Sequence, residues 1–262
     1  MNRIKRKFKE LKKAGKKAFI VFITAGYPDL NTTRKLAVAL EKEGVDILEL
    51  GVPFSDPLAD GAIIQEASQW ALHKKVQLPD ILKLVRNLRR YVNIPICLMT
   101  YYNPIFCFGE RKFAQAAQKS GVDGVIIPDL PPEEAISLRK IAGKYGLDLI
   151  SFISPTSTKE RIAQISRVSR GFIYYVSLTG VTGARANLPK DIKQNLRLIK
   201  RYTAKPVCVG FGISTKKQVK EVSKFSDGVI IGSAIVKKIR DNLGRRDLVE
   251  RVSVFVRSLK GV

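Results

Sequence analysis

Histidine is all but missing from this chain of 262 residues, His73 being the only one. That rules out a histidine-ligated metal catalyst, a Ser-His-Asp triad and a Cys-His pair. Acid–base chemistry therefore falls to carboxylates, lysine or tyrosine. Cysteine is scarce as well. Cys97, Cys107 and Cys208 have no close spacing, which excludes a disulfide scaffold and a structural zinc site and fits a reducing cytoplasm. No apolar run approaches the roughly 18 residues of a membrane span. The short run at 18–23 follows a basic start but continues into a turn, so it does not read as a signal peptide. Acids are in the minority, 23 Asp and Glu against 47 Lys and Arg, for a net charge of +24. Hydrophobic residues nevertheless make up 45% of the chain, enough to build a core.

The positive charge invites a nucleic-acid or membrane reading. It is densest at the N-terminus, where Arg3, Lys5, Arg6, Lys7, Lys9, Lys12, Lys13, Lys16 and Lys17 surround Ile4, Phe8 and Leu11 at helical spacing. Such a helix either anchors to an anionic surface or packs on the body with a solvated basic face. The second reading is preferred, because the other cations are spread along the whole chain. No helix-turn-helix, RNP-type aromatic pattern or zinc knuckle accompanies them. Neither nucleic acid nor membrane is expected as a partner.

Short apolar runs rich in β-branched and aromatic residues recur at 19–24, 47–52, 95–100, 124–129, 148–153, 172–177, 206–211 and 228–231. Most are too continuously apolar for a half-exposed antiparallel strand and suit strands covered on both faces. Helical patterns separate them at 32–42, 79–91, 111–119, 133–144, 159–168, 189–201, 215–224 and 234–242, and 248–259 adds a last amphipathic helix. Strand–helix alternation without a linker predicts an α/β fold, a (β/α)8 TIM barrel with an extra N-terminal helix. An open doubly wound sheet would normally stop sooner. The barrel is expected to be a single domain over 1–262, with the N-terminal helix within 1–17. The connection at 53–94 is unusually long, with a loop at 53–60 and an additional helix near 63–72. Barrels carry function in loops of this kind, at the C-terminal ends of their strands.

Within Ile47-Leu48-Glu49-Leu50-Gly51, alternation sends the two leucines to the helix-covered outside and Glu49 into the barrel. Loss of water there raises a carboxyl group's pKa toward a value useful for proton transfer. The plainer alternative is a structural glutamate held by hydrogen bonds or a lysine. Asp60 closes the loop at 53–60; its plainer role is to cap the following helix, as Asp56 would serve a turn before Pro57. Together Glu49 and Asp60 flank the mouth of one strand, as two-carboxylate catalysis requires. Across the mouth, Gly210-Phe211-Gly212 and Gly232-Ser233 follow the seventh and eighth strands. Glycines let a backbone approach an anion, and these two loops are where TIM barrels favour phosphate, although tight turns want glycine too. The glycine-bracketed Thr182 in 179–185 suits a mobile lid loop over 178–188.

These residues carry a resemblance. LELGVPFSDPLADG at 48–61, FITAGYP at 22–28, SLTGVTGAR at 177–185, GFGIS at 210–214 and GSAIV at 232–236 resemble the α subunit of tryptophan synthase, in the right order along nearly the whole chain. The segment from Glu49 to Asp60 is the most specific. The resemblance implies a lyase of tryptophan biosynthesis, cleaving indole-3-glycerol phosphate to indole and glyceraldehyde 3-phosphate. It implies proton transfer by Glu49 and stabilisation of the indole N–H by Asp60, which makes 53–60 the catalytic loop. Tyr174 then lies near the reacting glycerol carbons, with Tyr175 of the wrong parity. Thr182 is the lid threonine that meets the loop aspartate. Gly183, Gly212, Gly232 and Ser233 are implied as phosphate ligands. Phe22, Met99, Tyr101, Ile126 and Phe211 would line the indole pocket, with plain barrel core as their alternative.

No cofactor is expected in this chain. The resemblance implies a β subunit carrying pyridoxal phosphate, joined in an α2β2 heterotetramer, with 53–60 and 102–106 on the docking face. Rival readings are a stand-alone lyase, a non-catalytic barrel that activates its partner, and a nucleic-acid binder. One departure stands out: Ala62, where the family usually has proline, should leave the Asp60 loop less preorganised.

Overall fold

A computed structural model describes residues 2–176, 191–210 and 212–260. The chain opens with α1 (Arg3–Lys13), β1 (Ala18–Thr24), α2 (Leu30–Lys42) and β2 (Ile47–Gly51). The long connection follows, with α3 (Ala62–His73) and α4 (Leu78–Leu88) before β3 (Ile96–Met99). Next come α5 (Tyr102–Phe108), α6 (Glu110–Ser120), β4 (Gly124–Ile126), α7 (Ile136–Lys144), β5 (Asp148–Ile153) and α8 (Lys159–Val168). The last part holds β6 (Ile173–Val176), α9 (Ile192–Tyr202), β7 (Val207–Gly210), α10 (Lys216–Ser223), β8 (Gly228–Ile231), α11 (Ser233–Arg240) and α12 (Leu248–Leu259). Each strand pairs in parallel with its neighbours in sequence order, and β8 closes on β1 to complete the barrel. None of the helices described is long and apolar enough to cross a membrane.

Two cores result from strand alternation. Outward side chains such as Leu48 and Leu50 join the layer between sheet and helices, while Ile20, Ile47, Cys97, Ile126, Ile150, Cys208 and Ile230 fill the barrel interior. Helix α1 belongs to the interior core. Ile4, Phe8 and Leu11 are buried in it, and Phe8 meets Phe172 with ring centroids 5.8 Å apart. Asp123 fixes the helix at the N-terminal end of the barrel: its carboxylate accepts from Arg3 Nη1 at 3.0 Å and Arg89 Nη2 at 2.6 Å, and its carbonyl accepts from Asn2 Nδ2 at 2.9 Å. The basic N-terminal segment is thus a packed helix with Lys5, Arg6, Lys9, Lys12 and Lys13 left in solvent.

Two boundaries and one short helix show where the elements depart from expectation. Strand β4 ends at Ile126 rather than 129, because Pro128 has no N–H to give a ladder. Helix α7 starts at Ile136 rather than 133, after a turn set up by Pro131 and Pro132. Helix α5 was not expected; Pro104 lies in its first turn, where no intrahelical N–H is needed, and Gly109 at φ +87° ends it after seven residues.

Candidate active site

Glu49 points into the barrel from β2 and is fully buried. Neither carboxyl oxygen has a hydrogen-bond partner among the described residues. Burial alone pushes its pKa up to about 8. At neutral pH it is largely a protonated, neutral acid.

Asp60 reaches the same space from the loop after β2. It does not cap α3: the N-cap is Gly61, with no side-chain cap bond, and Ala62 is the first helical residue. Its side chain is held by Tyr101, whose hydroxyl donates to Oδ2 at 3.2 Å and accepts from the Ala59 N–H at 2.9 Å. Phe54 stacks on the Tyr101 ring at 5.2 Å, and Gln65 Nε2 donates to the Asp60 carbonyl at 2.9 Å. Burial raises the Asp60 pKa to about 6, with the Tyr101 hydrogen bond pulling the other way. At neutral pH this second carboxyl is largely ionised. One cavity therefore holds an acid that keeps its proton and an acid that has lost it.

Two glycines make room for the aromatic walls. A Cβ on Gly51 would stand 2.5 Å from Phe22 Cζ, and one on Gly210 would stand 2.5 Å from Tyr174 Cε1. Opposite the carboxyls, Gly212, with φ +75°, and Gly232, the N-cap of α11, turn the chain at the mouth. The N-terminal N–H groups of α11 begin at Ser233, which gives this side of the cavity a positive field suited to an anion.

A family model described as tryptophan synthase alpha chain matches residues 8–262. The chain is 49% identical over 262 residues to the tryptophan synthase alpha chain of Thermoanaerobacter sp. (strain X514), covering 100% of both. The chain belongs to the tryptophan synthase alpha chain family. Among solved structures of the family it is similar to subunit alpha from Legionella pneumophila, with a TM-score of 0.92, 38% identity and coverage of 99% of this chain and 97% of that one. It is similar as well to a chain of the tryptophan synthase a2b2 complex from Pyrococcus furiosus, with a TM-score of 0.88, 39% identity and coverage of 94% and 98%.

Of the residues expected at the family's site, Phe22, Glu49, Asp60, Met99, Tyr174, Gly212, Gly232 and Ser233 line one cavity. Tyr174 faces the barrel interior and Tyr175 the helix layer. Two expected pocket residues do not line this cavity. Tyr101 is turned toward the catalytic loop, because its hydroxyl is taken up by Asp60 and Ala59. Ile126 is fully buried in the interior core on which Met99 and Phe152 pack. Thr182, Gly183, Phe211 and the expected lid at 178–188 lie outside the described residues. Reading the sequence missed Ile64, Ile213, Ser214, Ile230 and Ala234, which also line the cavity. Parity with Gly232 was a usable signal for Ile230, and one helical turn from Asp60 was a signal for Ile64.

Proposed function

We propose that this chain cleaves indole-3-glycerol phosphate to indole and glyceraldehyde 3-phosphate, the α reaction of tryptophan synthase. The observation that carries the reading is the pairing in one cavity of a neutral buried Glu49 with an ionised Asp60. Glu49 protonates indole C3, which gives an indoleninium ion with positive charge on the ring N–H. Asp60 accepts that N–H and stabilises the charge; a placed carboxylate in a dry site is worth several kcal/mol. The Glu49 carboxylate then takes the proton of the adjacent glycerol hydroxyl. As the aldehyde forms, the carbon–carbon bond breaks and its electrons return to the ring, releasing neutral indole and restoring Glu49 to its acid form. Tyr174 packs beside the reacting carbons, and Gly212, Gly232 and Ser233, with the α11 N-terminus, hold the phosphate; Thr182, Gly183 and Phe211 are assigned to the lid, the phosphate and the pocket on resemblance.

The partner we assign is a β subunit, in an α2β2 assembly, that brings pyridoxal phosphate and consumes the indole. Leu58 in the catalytic loop and Phe106 on α5 support a docking face at the mouth, since both are large apolar groups left 90% and 66% exposed. A cytoplasmic setting suits the free thiols of Cys97, Cys107 and Cys208. The test is indole release from indole-3-glycerol phosphate with and without added β subunit. Glu49→Gln and Asp60→Asn are each expected to abolish it while phosphate binding is kept and neither variant loses thermal stability. Near-wild-type turnover by either variant with the β subunit present would remove that residue from the reaction. Full activity without the β subunit would favour a stand-alone lyase.

A further inference from the structure

The interior residues around and beneath Glu49 offer its carboxyl no strong hydrogen bond. Isoleucines, Ile20, Ile47, Ile126, Ile150 and Ile230, and two buried thiols, Cys97 and Cys208, make up most of them; Tyr174 shares this interior, and neither Glu49 oxygen is hydrogen-bonded among the described residues. Cys97 is the register partner of Glu49 on β3. Cys208 stands on β7, within reach of the Glu49 charge. Each sulfur fills space that a glycine opens on the next strand. A Cβ on Gly124 would lie 3.2 Å from Cys97 Sγ, and one on Gly228 would lie 2.8 Å from Cys208 Sγ. Cys97 with Gly124, and Cys208 with Gly228, are themselves register partners.

We propose that Cys97 and Cys208 are positioning residues for Glu49, filling the barrel beneath it with sulfur while leaving its carboxyl without a hydrogen-bond donor. This rests on the reading of Glu49 as the proton carrier. A thiol is a weak donor, whereas a hydroxyl in its place would donate to an ionised carboxylate or draw in water, and either stabilises the charged form. Alanine would leave a void but no donor. The other titratable groups facing Glu49 are Asp60 and Tyr174 in the cavity; β1, β4, β5 and β8 present Phe22, Ile126, Ile150 and Ile230. Asp123, Asp148 and Asp227 act on the thiols from the strand N-terminal ends. With neither Glu49 oxygen hydrogen-bonded among the described residues, burial sets its carboxyl.

The experiment compares Cys97→Ser, Cys208→Ser, Cys97→Ala and Cys208→Ala in the full chain. Infrared spectroscopy follows the carbonyl stretch of protonated Glu49, identified by its loss in Glu49→Gln, and the pH profile of indole release with the β subunit is recorded alongside. Each serine variant is expected to lower the Glu49 midpoint by about one pH unit, and the alkaline limb of the profile with it, while the alanine variants keep the wild-type midpoint. Serine midpoints that coincide with wild type, or alanine midpoints that fall as far as serine, would overturn the proposal. A midpoint that moves while the rate profile stays fixed upholds the role of the sulfurs and sinks the proton-carrier reading instead. Either cysteine alone suffices for the test if the other variant fails to fold.

Discussion

Burying Glu49 without a partner makes stability depend on pH, and the sign can be fixed in advance. Its pKa rises from an ordinary 4.5 to about 8 in the fold. Between those values the folded chain binds more protons than the unfolded chain, so stability falls as pH rises toward 8 and the full cost is present above it. A shift of that size corresponds to a cost on the order of 5 kcal/mol. Glu49→Gln removes this titration. The variant should therefore gain stability over wild type progressively from mildly acid to mildly alkaline pH, as read by urea unfolding at several pH values. Asp60 titrates with the same sign, from 3.8 to about 6, in both proteins and drops out of the comparison. A stability difference independent of pH would mean that Glu49 is not buried as a neutral acid. Gly210 is a second residue with a defined consequence, since any Cβ there meets the Tyr174 ring. Gly210→Ala is expected to cost about 1–3 kcal/mol by overpacking. Because the displaced ring faces the cavity, it should also slow indole release by at least tenfold, measured in the presence of the β subunit. Loss of stability without loss of rate would show that Tyr174 can move away from the site.

Helix α1 shows an element whose packing is separate from the chemistry. Ile4 is fully buried against the strand ends near Gly124 and Gly171, at the end of the barrel opposite the catalytic mouth. Ile4→Ala should cost about 2–5 kcal/mol in chemical denaturation yet leave kcat for indole release unchanged below the melting transition. A fall in kcat would mean that the closed end shapes the mouth. The elements also show what a sequence can reveal. The eight strands were legible because a strand covered on both faces must be apolar throughout, and α1 because its apolar stripe has a helical period. Helix α5 was not, since seven residues with an internal proline are too few to display a period. Glu49 could be placed by alternation within β2, and Asp60 by its distance along the loop. Tyr101 could not, because the hydroxyl that turns it toward Asp60 and Ala59 is matched only in three dimensions. The resemblance implied a pocket wall for it, and in the structure its hydroxyl is bonded to Asp60 and Ala59.

At the scale of the whole molecule, the two ends of the barrel are built for different neighbours. The N-terminal end is closed by α1 and presents cations to water, while the mouth carries Leu58 and Phe106, exposed apolar groups on separate elements. Exposed ion pairs such as Arg251 with Asp247 or Arg245 with Asp247 contribute little to either end. A net charge of +24 raises the rate of meeting an acidic partner more than it strengthens the contact. Affinity for the β subunit should therefore rest on the apolar groups at the mouth. Leu58→Ser and Phe106→Ser together are expected to raise the β-subunit concentration for half-maximal indole release at least tenfold, the equivalent of about 1.4 kcal/mol. The thermal midpoint of the isolated chain should barely move, because neither side chain is buried in it. Substituting Lys9 and Lys13 on α1 with serine serves as the opposite-end control and should leave that concentration unchanged. If the α1 variant weakens stimulation as much as the mouth variant, the docking face lies at the wrong end and the catalytic loop is free of the partner.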